Sequence, residues 1–247
     1  EGDEERMSIG YRKFVRDNPD LFTEADVMWG YGPSEGSVFV ELISSGEQWG
    51  RGPTYSNIHG GRKRQVDAPA WRHIKMLATL VDDTGNRVMI DGFYDDIVPL
   101  TEAEEAILME AAEDFDVEVA ADRLGVARFI SDDPYEIQKM SRYGQSMNLD
   151  GIWAGNMFEG GSGAILPNRI VSKHNFRYVP NQTGPDIVNK LRAHLDKHGY
   201  QDVGINVVGD VPWAKMDDNN GLAMAVREMR ETFGAGNPEP IYEETIL

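Results

Sequence analysis

Ile170-Val171-Ser172-Lys173-His174-Asn175-Phe176-Arg177-Tyr178-Val179 alternates in the way a strand does, and it sets Arg177 between Phe176 and Tyr178. Working outward, Ser37-Val38-Phe39-Val40-Glu41-Leu42-Ile43-Ser44 reads as a second strand and Val203 to Val208 as a third. Between them Ala68 to Val81 reads as an amphipathic helix with Trp71, Ile74, Leu77, Ala78 and Val81 inward. Pro185 to His198 reads as another, with Ile187, Val188, Leu191 and Leu195 inward. Strand, helix, strand, helix, strand, with helical inserts, is close to a two-layer α+β sandwich of the ferredoxin-like kind. The inserts have clear punctuation. Thr101 with Glu104 predicts a capping box, Gly125 ends a helix begun near Glu118, and Pro134 to Tyr143 forms a third.

The flanks read differently. Arg6 to Phe22 is expected to be helical and stopped by Asn18-Pro19-Asp20, Ala25 to Trp29 a short strand, and Gly221 to Phe233 a helix. These belong to an α/β domain into which the α+β domain is inserted. The expected division is 1–36 and 211–247 for the first, and 37–210 for the second.

Charge and composition exclude several functions. The chain has 247 residues, 40% of them hydrophobic, a formal net charge of −18 and no cysteine. Such a chain repels nucleic acid and anionic membrane, and it can form neither disulfides nor thiolate metal sites. No apolar run reaches the ~20 residues of a membrane span, and with no targeting segment visible the cytoplasm is the expected compartment.

Three stretches carry candidate chemistry. Glu1-Gly2-Asp3-Glu4-Glu5 places two carboxylates side by side. One can ligate a hard or borderline metal while the other takes a proton from metal-bound water, although an acidic run is also the usual form of a solvated tail. The stretch from Gly46 to Gly61 is expected to be a long loop holding Tyr55, Asn57 and His59, which share one side if it is extended. A lone loop histidine is more often plain surface than a ligand. Arg177 can clamp a carboxylate or simply cover its sheet.

Taken together these stretches resemble the dinuclear-zinc family of aminoacylases, carboxypeptidase G, carnosinase, and acetylornithine or succinyl-diaminopimelate deacylases. The acidic run looks like its metal motif. Ala70-Trp71, Leu77-Ala78-Thr79-Leu80 and Asp91-Gly92-Phe93-Tyr94-Asp95-Asp96 look like its lid, and Asn175-Phe176-Arg177-Tyr178-Val179-Pro180-Asn181-Gln182 like its lid strand. The resemblance implies part of a zinc-peptidase-like α/β catalytic domain with an inserted ferredoxin-like α+β lid and dimerisation domain. It implies Glu4 as general base and Glu5 as a metal ligand. Arg177 would clamp the substrate carboxylate, and His59 would reach into the active site of a partner subunit in a homodimer formed through the lid. Two divalent metal ions are implied, zinc first, with manganese or cobalt possible.

The sequence also departs from the pattern. Asn57 stands where an aspartate is usual, Gly60 where a serine is, and Gly163-Ala164 where lysine-threonine is. Gly30 occupies a position that often carries an acidic ligand, and Asp26 and Glu35 are its nearest substitutes. Further ligands of the family fall before Glu1 and after Leu247. The 247 residues are therefore expected to bind metal poorly and to be inactive by themselves. The resulting expectation is a metal-dependent hydrolase cleaving a C–N bond of a small carboxylate-bearing substrate, of the dipeptidase or N-acyl amino acid deacylase type. Tyr55 and Asn57 would help to bind that substrate. One alternative is an aminohydrolase removing an amine from an aromatic acid. Another is a non-catalytic dimerising or ligand-binding member, and a third is an unrelated acidic interaction domain.

Overall fold

The computed structural model describes residues 9–23, 34–157 and 159–215, together with Met224 and Glu228. The chain divides into two compact units, Glu1–Ser34 with Trp213–Leu247, and Glu35–Pro212.

In the first unit α1 spans Ile9–Asp17. It is shorter than the helix expected from Arg6 to Phe22. Asn18 leaves helical geometry at φ −132° and Pro19 brings no N–H, so the chain continues as a 3-10 turn over Pro19–Leu21. Phe14 and Phe22 then meet edge to face at 6.4 Å. Ser34 and Ala214 form an antiparallel bridge with both N–H···O distances at 2.9 Å. The expected strand at Ala25–Trp29 and the acidic run Glu1–Glu5 lie outside the described residues, as does Gly30. Of the expected 221–233 helix only Met224 and Glu228 are described, both helical.

The second unit runs β1 (Gly36–Ser45), α2 (Gly46–Trp49), β2 (Ile58–His59), α3 (Pro69–Leu77), α4 (Glu102–Glu113), α5 (Val117–Leu124), α6 (Pro134–Tyr143), β3 (Ser146–Trp153), β4 (Ile165–Leu166), β5 (Arg169–Tyr178), α7 (Gly184–Lys197) and β6 (Gly204–Val211). Four strands form one sheet in the order β3-β5-β1-β6, every neighbouring pair antiparallel. With α3 and α7 as the two connecting helices this is the βαββαβ arrangement of the ferredoxin-like fold; the alternation in the sequence shows three of its four strands, and β3 is the one it leaves out. Helices α4 to α6 are inserted between α3 and β3. Two of their ends are the ones the sequence announces: Thr101 and Glu104 close a capping box, and Gly125 takes φ 67° at the end of α5. In addition Asp133 caps α6, its side chain accepting from the Tyr135 N–H.

The core lies between the sheet and two helices. Val38, Val40, Leu42 and Ser44 of β1 and Ile170, Ser172, His174, Phe176 and Tyr178 of β5 are buried on alternate positions, and Ile187, Leu191 and Leu195 of α7 are buried with them. Helix α3 corrects the expectation for 68–81. It is shorter, and it buries Pro69, His73 and Met76, while Trp71 and Ile74 are exposed. The physical reason is polar. His73 Nδ1 meets Ser44 Oγ and His73 Nε2 meets Ser172 Oγ, each at 2.8 Å, so two hydrogen bonds to the sheet fix the rotation of the helix. The segment expected to be one long loop, 46–61, is also more ordered than that. It opens with α2, whose N-cap is the Ser45 side chain, and ends in β2.

Candidate functional site

The candidate lid histidine is built by a two-stranded ribbon. Ile58 and His59 pair with Leu166 and Ile165, and Gly60 N–H donates to the Ala164 carbonyl at 2.7 Å. A Cβ on Gly60 would lie 3.1 Å from the Ala164 carbonyl carbon, a tight contact at the position where serine was the expected residue. The chain then turns through a 3-10 helix at Gly60–Arg64. The Gly61 N–H donates to His59 Nδ1 at 3.1 Å. An imidazole that accepts at Nδ1 carries its proton at Nε2, so exposed His59 offers Nε2–H as a donor to a ligand.

Asn57 is tied to the same ribbon, its Oδ1 accepting from the Asn168 N–H at 3.2 Å. Tyr55 lies in a bend and is 94% exposed. The regular alternation of Tyr55, Asn57 and His59 is therefore not formed, because only Ile58–His59 of this segment is strand.

Arg177 sits on the outer face of the sheet, opposite the helices, because Phe176 and Tyr178 on either side of it point inward. Its Nε donates to Asn175 Oδ1 at 3.3 Å and its Nη1 pairs with the Glu35 carboxylate at 3.1 Å, leaving Nη2 without a partner among the described residues. Asn175 in turn donates to Asp150 Oδ1 at 2.5 Å, and Asn148 donates to the same oxygen at 2.7 Å. Asp150 is the extra residue of a β-bulge in β3, where pairing steps from Leu149 opposite His174 to Gly151 opposite Lys173. The bulge thus supplies the carboxylate that orients Asn175, which orients Arg177.

The end of β5 is locked beside Arg177. The Tyr178 hydroxyl donates to Asp210 Oδ1 at 2.7 Å and lies 3.0 Å from the Val211 carbonyl. Burial and that carboxylate push the phenol well above its ordinary range. Gly36 makes this possible, since a Cβ there would sit 2.1 Å from the Tyr178 ring. Beyond the strand Asn181 takes φ 77°, and Gln182 Nε2 donates to the Phe93 carbonyl at 2.7 Å while Asn181 Nδ2 donates to the Asp96 carbonyl at 2.8 Å. The two stretches 91–96 and 175–182, far apart in sequence, therefore meet.

His59 and Arg177 do not meet. His59 and Asn57 are anchored at 165–168, just before β5 begins, and Arg177 is at its other end. Ten residues of strand span about 30 Å. The remaining histidines serve structure. His73 and His174 share Ser172 Oγ, each at 2.8 Å, and burial pushes both rings down to about 4. His194 contacts Thr79 Oγ1 at 3.1 Å and stacks on His198 at 4.3 Å, with burial lowering its pKa.

The sequence gives no sign of Glu35 as the partner of Arg177, assigns Asn175 no role of its own within the 175–182 stretch, and leaves Asp150 out. Asn175 was detectable two positions before Arg177 on the same face; the bulge that presents Asp150 has no local sign. Among the described residues no group of three or more histidine, cysteine, aspartate or glutamate side chains could hold a metal. The described residues by themselves therefore do not fit a metal centre, and Glu4 and Glu5 lie outside them.

No family model matches the chain. It is 27% identical over 270 residues to the Beta-Ala-His dipeptidase of Homo sapiens, covering 100% of this chain and 50% of that protein. It is 29% identical over 141 residues to a Cys-Gly metallodipeptidase of Candida albicans, covering 57% of this chain and 28% of the relative. Among solved structures it matches an M20 family metallo-carboxypeptidase from Sulfolobus solfataricus with a TM-score of 0.78 and 28% identity, over 95% of this chain and 54% of that one. Human carnosine dipeptidase 1 shares the fold, with a TM-score of 0.73 over 91% of this chain. The chain spans about half the length of the Beta-Ala-His dipeptidase it matches.

Proposed function

As a member of the metallopeptidase family to which these relatives belong, the protein is, we propose, a metal-dependent hydrolase. It cleaves a C–N bond of a small substrate bearing a carboxylate, a dipeptide in the first instance. The observation that carries this reading is the state of Arg177. Its guanidinium is oriented from behind by Asn175 and Asp150 and already holds a carboxylate, that of Glu35. Exposed pairs of this kind contribute about 1 kcal/mol or less. A substrate carboxylate that engages both terminal nitrogens can therefore displace Glu35 at little cost.

His59 is the second element. Its Nε2–H can donate to the scissile carbonyl oxygen as negative charge develops there. Because the ribbon holding His59 and the end of β5 holding Arg177 lie at opposite ends of one strand, the two act on one substrate only when they come from different chains. That separation favours a homodimer in which each lid lends its histidine to the partner. The compact unit Glu35–Pro212 is then the lid and dimerisation domain, and the flanking unit part of the catalytic domain. Glu4 as general base, Glu5 as metal ligand, Tyr55 and Asn57 as substrate contacts, and two divalent ions with zinc first complete the proposal. The metals would supply the activated water.

The test is complementation in the intact protein. His59→Ala and Arg177→Ala each lower turnover of a dipeptide about 100-fold, and coexpression of the two restores it, because a mixed dimer has one site with both residues intact. Failure of the mixed dimer to recover any activity would refute exchange of the histidine. Elemental analysis of the same sample should give about two divalent ions per intact chain, and a metal-free active enzyme would overturn the hydrolase reading.

A further inference from the structure

Charge is segregated sharply within the lid unit. The stretch 51–75 carries Arg51, Arg62, Lys63, Arg64, Arg72 and Lys75 against one acid, Asp67, in a chain whose net charge is −18. Part of this stretch lines an open cleft of about 470 Å³, walled by Trp49, Trp71 and Tyr200 and edged by Lys63, Arg72 and Lys75. None of Tyr55, Asn57, His59 or Arg177 lines it.

Two of the nearby cations are already neutralised. Arg72 is clamped by the Asp202 carboxylate, donates to the Gly199 carbonyl at 2.8 Å, and lies over the rings of Trp49 and Tyr200 at 4.8 and 4.7 Å. Arg51 pairs with Asp67 at 2.8 Å. Arg72 therefore acts as a rigid bolt that fixes two aromatic walls. Lys63 and Lys75 have no such partner among the described residues, although this chain offers carboxylates in excess. Trp71 is 60% exposed and stacks on nothing described. Trp71 and Lys75 stand four residues apart on α3 and so share one flank.

An indole face beside two ammonium groups, none of them partnered among the described residues, is complementary to one ligand class. We propose that this cleft binds a small aromatic anion, its ring against Trp71 and its charged group on Lys63 and Lys75. Nucleic acid does not fit, since two open cations cannot offset the repulsion from the rest of the chain. A carboxylate and a phosphate satisfy the same two lysines, and the probes below separate them.

Isothermal titration of the intact protein with 2-naphthoate and with 1-naphthyl phosphate tests this. Acetate and 2-naphthalenemethanol serve as the ring-free and charge-free controls. At least one naphthyl anion should bind saturably at one site per chain, and the tighter of the two identifies the preferred charged group. Neither control should bind in the same range. Trp71→Ala and Lys63→Gln/Lys75→Gln should each weaken binding about tenfold, whereas Arg177→Ala should leave it unchanged. The exposed lysine pair keeps the test decisive if Trp71→Ala disturbs its helix. Absence of saturable binding by both anions overturns the proposal. So does binding that survives loss of both lysines. So does the finding that the lysine variant changes oligomeric state while neither anion binds, which would mean the cleft is covered by a second copy.

Discussion

The two faces of one strand, β5, carry opposite chemistry. On the inner face Ser172 and His174 join Ser44 and His73 in a hydrogen-bonded chain with every link at 2.8 Å, buried beneath α3. On the outer face Asn175 and Arg177 join Asp150 and Glu35 in a chain that remains in contact with solvent. Seen as residue types, the inner serine–histidine chain has the look of a catalytic site and the outer one of ordinary surface. Burial reverses that order. The inner imidazoles are held neutral and out of reach, and their hydrogen bonds fix how a helix packs. The outer guanidinium has one terminal nitrogen without a partner among the described residues, and it pairs with the half-exposed carboxylate of Glu35.

The largest effect that tests this contrast is acid sensitivity of the unit Glu35–Pro212. His73 and His174 titrate at about 4 in the fold against an ordinary 6.5. As pH falls below 6.5 the unfolded chain takes up these protons first. Stability present above pH 6.5 is therefore lost toward pH 4. The slope is at most about 1.4 kcal/mol per pH unit for each histidine. Denaturant melts across that range should show this, and a flat profile would mean that the histidines are not buried neutral.

Next, Arg177→Ala should lower kcat/KM for a carboxylate-bearing dipeptide about 100-fold, close to 3 kcal/mol. Its melting midpoint should barely move. A matching loss of stability would make Arg177 a structural residue like its inner neighbours.

Ser172→Ala makes the converse case. It strands His73 Nε2 and His174 Nε2 in the core and should cost about 2 kcal/mol of stability. Its effect on kcat/KM should be much smaller than that of Arg177→Ala, measured at a temperature where both remain folded.

The smallest effect is expected from Glu35→Gln. It removes a surface ion pair, so stability should change by less than about 0.5 kcal/mol. KM should fall roughly two- to threefold with kcat unchanged, because the substrate no longer competes for Arg177. A rise in KM would instead make Glu35 part of substrate binding.

Much of this architecture is legible along the chain. Alternation at 170–179 and 37–44 identifies the central strands, and the Thr101–Glu104 box and Gly125 mark helix ends nearly to the residue, because a cap is settled within four residues of itself. The likeness of 1–5, 91–96 and 175–182 to a metallopeptidase family is legible too, being carried by residue identity. The rotation of α3 is not. Trp71, Ile74 and Ala78 form an apolar stripe as convincing as the real one, and only Ser44 and Ser172, brought in from two strands, select the face with His73. The bulge at Asp150 and the meeting of Gln182 with Phe93 depend in the same way on pairing across long separations. The distance between His59 and Arg177 follows from the register of β2 with β4 and the length of β5. The sequence by itself thus determined the central strands, several helix ends and the family likeness, since period and capping are local energies. Which faces meet, which histidines are silenced and which arginine stays open were decided only by tertiary structure, where long-range packing and desolvation outweigh local preference.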